Sequence, residues 1–283
     1  MGTRFELLLP AAPGSLDGPA LRAAGEAAID EIDHWHRRLN RFAADSLVSH
    51  LNRSAGRLVR LDRETFELLA DALRVGQASA GAFDITVTPL LVRQGAADSA
   101  VPTGGGHVPN RTIELDPRAR TVRFADERLS VDLGGIAKGH ALDCAAAVLR
   151  DAGVRSALLH GGTSSILALG LPPGSGGWRV ALDPQTRETV TLEDAALSLS
   201  DPAGQLGTTG RRHIVDPRAE RVGKRSPAPE TRVVVIGPSA RLADAWSTAL
   251  AVLGHVPSAF PDGYAARFIH HLDGATTHAI AAS

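Results

Sequence analysis

Three groups of residues in this 283-residue chain have the types and spacing for chemistry on a phosphoryl group. The first is Asp244 with Thr248, four residues apart inside ARLADAWSTALAVLG. On a helix that spacing projects a carboxylate and a hydroxyl from one face, within reach of one small ion. Oxygen-only ligands suit magnesium, which takes one or two protein oxygens and completes its octahedron with water and phosphate oxygens. Such pairs also occur on solvated helix faces, but the small and apolar residues from Ala243 to Thr248 mark this face as turned inward. The second group is VDLGGIAKGHALDCAAAVLRDAGV, Val131 to Val154, which reads as a short apolar strand running into a double glycine, a lysine and an amphipathic helix. Gly134 and Gly135 let the backbone approach a ligand and turn sharply, the helix start offers unpaired N–H groups, and Lys138 adds a point charge. The implied ligand is an anion, a nucleotide above all, although the same turn also serves merely to pack a helix against a sheet. Its spacing fits neither GxxxxGK[ST] nor GxGxxG.

The third group is GRRHIVDPR, Gly210 to Arg218, where a basic pair leads into His213 on a short apolar strand that stops at Asp216-Pro217. An imidazole is suited to take a proton from a hydroxyl nucleophile near neutral pH. The chain has 11 histidines, so a surface or packing role is the alternative for any one of them. Asp216 reads as a turn former. A fourth stretch, SAGAFDITVTPLL from Ser79 to Leu91, leads through Phe83 and Asp84 into a β-branched strand ended by Pro89. Phe83 could lie against a planar ring and Asp84 accept hydrogen bonds from it; the competing reading is core for Phe83 and a cap for Asp84.

The elements that must position these groups are legible in outline. Arg4 to Leu9 reads as a strand, and Leu21, Ala24, Ala28, Ile32, Trp35 and Leu39 recur at three- and four-residue spacings in a long helix from Leu16 to Leu39. A strand near Leu58 to Leu61 precedes a helix from Arg63 to Ala78. Residues 94–110, QGAADSAVPTGGGHVPN, read as a mobile surface loop. Strands are predicted over 156–160, 165–169, 178–182, 188–192, 196–199 and 231–236, before a last helix with Ser239 as N-cap and Gly254 at its end.

Composition bounds the rest. At 43% hydrophobic and 22% charged, the chain can bury a true core, and no sharp shift marks a domain boundary. Thirty Lys and Arg against 31 Asp and Glu leave a net charge of −1, which excludes the overall basic field expected for nucleic acid or an anionic membrane surface. Cys144 is the sole cysteine, so no intramolecular disulfide forms, and its place inside a helix favours a structural thiol. MGTRFELLLPAA is too short for a membrane span and poorly shaped for a signal peptide, so the expectation as written is a cytoplasmic protein.

Seven segments in this order resemble the FAD:protein FMN transferase (ApbE) family: MGTRFEL, FAADSLVSHLN, GAFDITVTPLL, VDLGGIAKGHALD, GGTSSILALG, RRHIVDP and PSARLADAWSTALAVLG. Their shared order extends over nearly the whole chain. The resemblance implies an α+β, T-fold-like architecture of mixed and antiparallel sheets packed with helices, in a single domain over 1–283. It implies that FAD binds in a cleft with magnesium and that its FMN moiety passes to a threonine or serine hydroxyl of an acceptor protein, forming a phosphoester and releasing AMP. By the same resemblance, magnesium is held by the Asp244 and Thr248 side chains and the Ala137 carbonyl. Gly134, Gly135 and Lys138 lie near the pyrophosphate, Met1, Phe83, Asp84, Gly161 and Thr163 help line the flavin and adenine pockets, and His213 is the base.

The chain departs from the family where Thr163, Ser164, Ser165 and Ile166 replace a Gly-Gly-Asp-Ile run, where Phe42 stands for a frequent Tyr, and where LSDPAGQLG shortens the loop before the histidine. Family members are often exported and membrane-anchored. Two alternatives use the same residues: a magnesium-dependent FAD pyrophosphatase, in which water replaces the acceptor, and a non-catalytic flavin-binding protein. The DGAT at Asp273 to Thr276 reads as a strand turn rather than an acceptor motif.

Overall fold

The computed structural model describes residues 3–11, 16–93, 108–182, 188–202, 214–218, 231–272 and 275–282. Met1, His213, Asp273, Gly274 and most of the 94–110 segment lie outside the described residues. A seven-stranded antiparallel sheet forms the centre, in the order β1 (Phe5–Leu8), β5 (Ala157–Gly161), β6 (Ser165–Leu169), β9 (Ala196–Ser200), β10 (Thr231–Gly237), β11 (Ala265–Leu272) and β12 (Ala275–Ala282). Two helices, α5 (Gly134–Asp151) and α6 (Ala240–Leu253), pack against one another and on one face of this sheet, with α1 (Gly18–Leu39) against α5 and α3 (Arg63–Ala78) against α6. The opposite face is covered by a hairpin of β7 (Trp178–Ala181) and β8 (Thr189–Leu192). A small sheet of β2 (Leu58–Arg60), β4 (Thr121–Phe124) and β3 (Ile113–Asp116) completes the strands, and α2 (Leu47–Arg53) and α4 (Thr88–Arg93) the helices.

Strand alternation explains the two faces. In β10, Val233 and Val235 enter the core under the helices while Val234 enters the one under the hairpin. In β6, Leu167 and Leu169 face the helices and Ile166 and Ala168 the hairpin. The same period puts Ser165, Ser198 and Ser200 on the helix side, polar residues where apolar ones would ordinarily pack.

The helices start where local chemistry dictates. Asp17 accepts from the Ala20 N–H ahead of α1, Asp62 from the Thr65 N–H ahead of α3, and Ser239 from the Leu242 N–H ahead of α6, which ends on Gly254 at φ 73°. In α1, Ala24, Ala28, Ile32, Trp35 and Leu39 are buried, as their spacing requires. No helix among the described residues is long and apolar enough to cross a membrane.

Three expected strands are absent. Val131 to Leu133 belongs to no strand: the Asn52 side chain accepts the Val131 N–H at 2.8 Å and donates to its carbonyl at 3.1 Å, taking the place of a neighbouring strand. The segment after Asp84 turns, and Pro89 is the second residue of α4 rather than the end of a strand, because its fixed φ and missing N–H suit the first helical turn. Ile214 to Asp216 belongs to no strand; Asp216 instead closes a turn, accepting the Arg218 N–H at 2.9 Å.

Candidate active site

The double-glycine turn is held from two sides. Asp132 Oδ1 accepts the Gly134 N–H at 2.8 Å, and its Oδ2 lies 3.0 Å from Arg41 Nε. The Ile136 and Ala137 N–H groups both reach the Leu133 carbonyl, at 3.0 and 2.9 Å. The start of α5 thus meets part of its hydrogen-bonding need internally, and the expectation of a row of unpaired N–H groups is corrected at Gly134, Ile136 and Ala137. Gly135 sits where a side chain would not fit freely: a Cβ there would lie 3.0 Å from the Phe83 ring and 3.7 Å from Thr248 Oγ1. The structure therefore brings Gly135, Phe83 and Thr248 together.

Asp244 projects from α6 into the junction of α5 with the sheet and is 3% exposed. Its Oδ2 accepts the Gly139 N–H at 2.7 Å, and Lys138 Nζ stands 3.6 Å from the same oxygen. Its Oδ1 accepts from the hydroxyls of Ser165, at 2.6 Å, and Ser198, at 2.7 Å. One turn on, Thr248 Oγ1 donates to the Asp244 carbonyl at 3.2 Å and lies 3.4 Å from Ser200 Oγ. Charge-assisted bonds of this kind explain how a carboxylate persists away from water.

Gly139 is what permits the approach. A Cβ there would overlap the Ala240 carbonyl and stand 2.6 Å from the Arg241 N. The contact is reciprocated by Asp143, on the same helix, whose carboxylate accepts from Ser239 Oγ at 2.7 Å and from the Ala240 and Arg241 N–H groups at 2.9 and 3.0 Å. Desolvation between the helices raises the Asp143 carboxyl above its ordinary range even though these donors pull it down.

Other sequence candidates fall as follows. Phe83 is buried, its ring on Gly135. Asp84 is buried, with Oδ1 accepting from the Thr86 N–H and hydroxyl at 2.8 and 2.6 Å and Oδ2 from the Asn110 N–H, 26 residues on, at 3.3 Å. Gly161 ends β5 against the Phe5 ring, and Thr163 is exposed at the β5–β6 turn, two residues before Ser165. A cavity of about 460 Å³ opens beside Asp84, Asn110, Pro217 and Arg218, and no member of the Asp244 cluster lines it. His140, edge-on to Trp35 at 4.2 Å, has its pKa lowered to about 3 by burial and then by Arg241, so it is no base. Burial pushes the Cys144 thiol up to about 12, which keeps it inert.

Ser165 lies in the run that departs from the family pattern, whereas Ser198 and Gly139 carry only indirect signals in the sequence. A glycine inside an amphipathic helix costs about 1 kcal/mol against alanine and so signals a packing need. The Ser-Leu-Ser alternation of β9 likewise marks a polar stripe on one sheet face.

The donor set is chemically coherent for a small divalent ion. Its side-chain part is one carboxylate and a hydroxyl on the next turn of the same helix, both hard oxygens of the kind magnesium accepts.

A family model described as the ApbE family matches residues 1–259. The FAD:protein FMN transferase of Vibrio cholerae is 26% identical over 273 residues, spanning 90% of this chain and 79% of that one. The one from Rhodobacter capsulatus is 33% identical over 201 residues, 66% of this chain and 36% of its own. Among solved structures, the flavin transferase ApbE of Vibrio cholerae aligns with a TM-score of 0.75 at 22% identity, covering 99% of this chain and 94% of that one. The apo flavinyl transferase ApbE of Pseudomonas stutzeri aligns at 0.74 with 24% identity, covering 98% and 94%. These two likenesses bear on the fold, and the antiparallel sheet with its helical layer is the α+β architecture expected.

Proposed function

Because the chain belongs to the ApbE family, we propose that it transfers the FMN moiety of FAD to a threonine or serine hydroxyl of an acceptor protein, with magnesium in the site. The acceptor oxygen forms a bond to the FMN phosphorus, the bond from that phosphorus to the AMP oxygen breaks, and the hydroxyl proton passes to a base. His213 is the residue proposed for that base. Asp244, Thr248 and the Ala137 carbonyl would hold the ion, and Lys138 at the start of α5 would carry a pyrophosphate oxygen. The bound ion would supply neutralisation of the charge developing on the diphosphate.

The single observation that carries this reading is Asp244 itself: a carboxylate 3% exposed, surrounded by hydroxyls and a main-chain N–H, with an ammonium 3.6 Å away at the head of a helix. The nearest cation, Lys138 Nζ, stops short of hydrogen-bond distance and stands beside the same carboxylate oxygen that the helix start reaches. The test is incubation with FAD, magnesium and a domain bearing a flavinylation motif, followed by mass spectrometry for an added FMN. Asp244→Ala should abolish transfer and weaken metal-assisted FAD binding; unaltered transfer by that variant rejects the assignment. Free FMN with an unmodified acceptor would instead make the protein a pyrophosphatase.

A further inference from the structure

Ser165 and Ser198 are register partners across β6 and β9, and both hydroxyls converge on the same oxygen of Asp244. The two serines are 1% and 2% exposed. A carboxylate has about four lone-pair positions. The serines fill both on Oδ1, the Gly139 N–H takes one on Oδ2, and the last faces Lys138 Nζ at 3.6 Å. The serines are themselves oriented. Ser247 Oγ lies 3.0 Å from Ser198 Oγ and 2.8 Å from Ser200 Oγ. Ser247 in turn donates to the Asp244 main-chain carbonyl at 3.0 Å, which ties the buried serine cluster to the same turn of α6.

We propose that the Ser165–Ser198 pair makes Asp244 a one-oxygen ligand, through Oδ2 alone, and thereby sets the preference of the site for a small six-coordinate divalent ion over calcium. Calcium takes six to eight oxygens and readily uses both oxygens of a carboxylate, whereas magnesium is satisfied by one at short range. With Oδ1 saturated by two hydroxyls, the two-oxygen mode is closed. Ser165 and Ser198 are positioning residues, acting through Asp244. This inference rests on the proposed transferase reading, in which Asp244 holds the ion.

The experiment uses the full chain with FAD and no acceptor, following flavin fluorescence anisotropy against MgCl2 and, separately, CaCl2. Wild type should show ion-dependent FAD binding that favours magnesium. Ser165→Ala and Ser198→Ala each free one lone pair on Oδ1, so each should move the ratio of half-saturating concentrations toward calcium by about 10-fold. The ratio is insensitive to a partly unfolded fraction, which affects both ions alike, and the two variants lie on different strands. If wild type responds to the ions and both variants keep its ratio, the inference is overturned and the transferase reading stands. If wild type binds FAD equally well without either ion, the metal part of that reading falls and the inference with it.

Discussion

Gly139→Ala is the sharpest perturbation the structure offers, because the added methyl meets backbone rather than a side chain able to move. The Arg241 nitrogen would stand 2.6 Å from the new Cβ, against at least 3.4 Å for ordinary contact, and the Ala240 carbonyl would be closer still. To relieve this the two helices must part by the better part of an ångström, and a gap of that size forfeits roughly a quarter to a half of each dispersion contact across it. The 2.7 Å bond from Gly139 N–H to Asp244 lies on the same seam and would lengthen with it. Overpacking costs about 1–3 kcal/mol, a weakened bond to a charged group about 1.5–3, and the gain in helix propensity returns about 1, leaving a net loss of about 1.5–5 kcal/mol. At about 2 °C per kcal/mol for a chain of 283 residues, that is roughly 3–10 °C in Tm. The assay is thermal unfolding beside Gly134→Ala, whose Cβ would approach only the movable Asp132 carboxylate, at 3.1 Å, and should change Tm by no more than about 2–4 °C. If Gly139→Ala melts within about 2 °C of wild type, the account of the α5–α6 contact is wrong.

Three further predictions concern charge. His140 is 3% exposed and remains neutral in the folded state down to about pH 3, whereas in the unfolded chain it takes up a proton near 6.5. Its contribution to stability is therefore full above pH 6.5 and is lost as pH falls toward 3, so urea midpoints should drop over that window, and less so in His140→Phe, which keeps a ring against Trp35; equal slopes would contradict this. Lys138→Met should retain the fold, since the side chain is 23% exposed, while weakening FAD binding about 10-fold in equilibrium titration through loss of a phosphate contact; unchanged affinity would remove Lys138 from the site. His213→Ala should keep FAD binding and lose nearly all transfer, measured by acceptor mass, and wild-type turnover would remove it as the base.

The parts of the fold written in short-range chemistry could be read from the sequence. The bounds of α3 coincide with Arg63 and Ala78, and those of α6 follow from a serine cap and a terminal glycine, because both signals act within a turn. The expected strand before Gly134 failed for the opposite reason: Val131 is held by a side chain 79 residues away, a partner that period-two patterning does not encode. Pro89 carried a stop signal for a strand and an equally good start signal for a helix, and packing chose the second. In the candidate site, the placing of Asp244 and Thr248 one turn apart on α6 could be read from their own spacing. Their neighbours could not: Ser165, Ser198 and Gly139 reach Asp244 across 79, 46 and 105 residues of chain. Their significance exists only once β6, β9 and α5 have met α6.

The paired exchange between α5 and α6, with Asp143 on the main chain of one helix and Asp244 on the main chain of the other, has a consequence for biogenesis. Nearly a hundred residues are synthesised between the two halves of this clasp, so loop closure must precede it and it belongs to the late stages of folding. A nascent or truncated chain ending before α6 would leave Asp143 without its three donors and the glycine-rich turn without its carboxylate. Competence to bind a nucleotide should therefore appear all at once, on completion of the C-terminal third, and serve as a reporter that the whole architecture has closed.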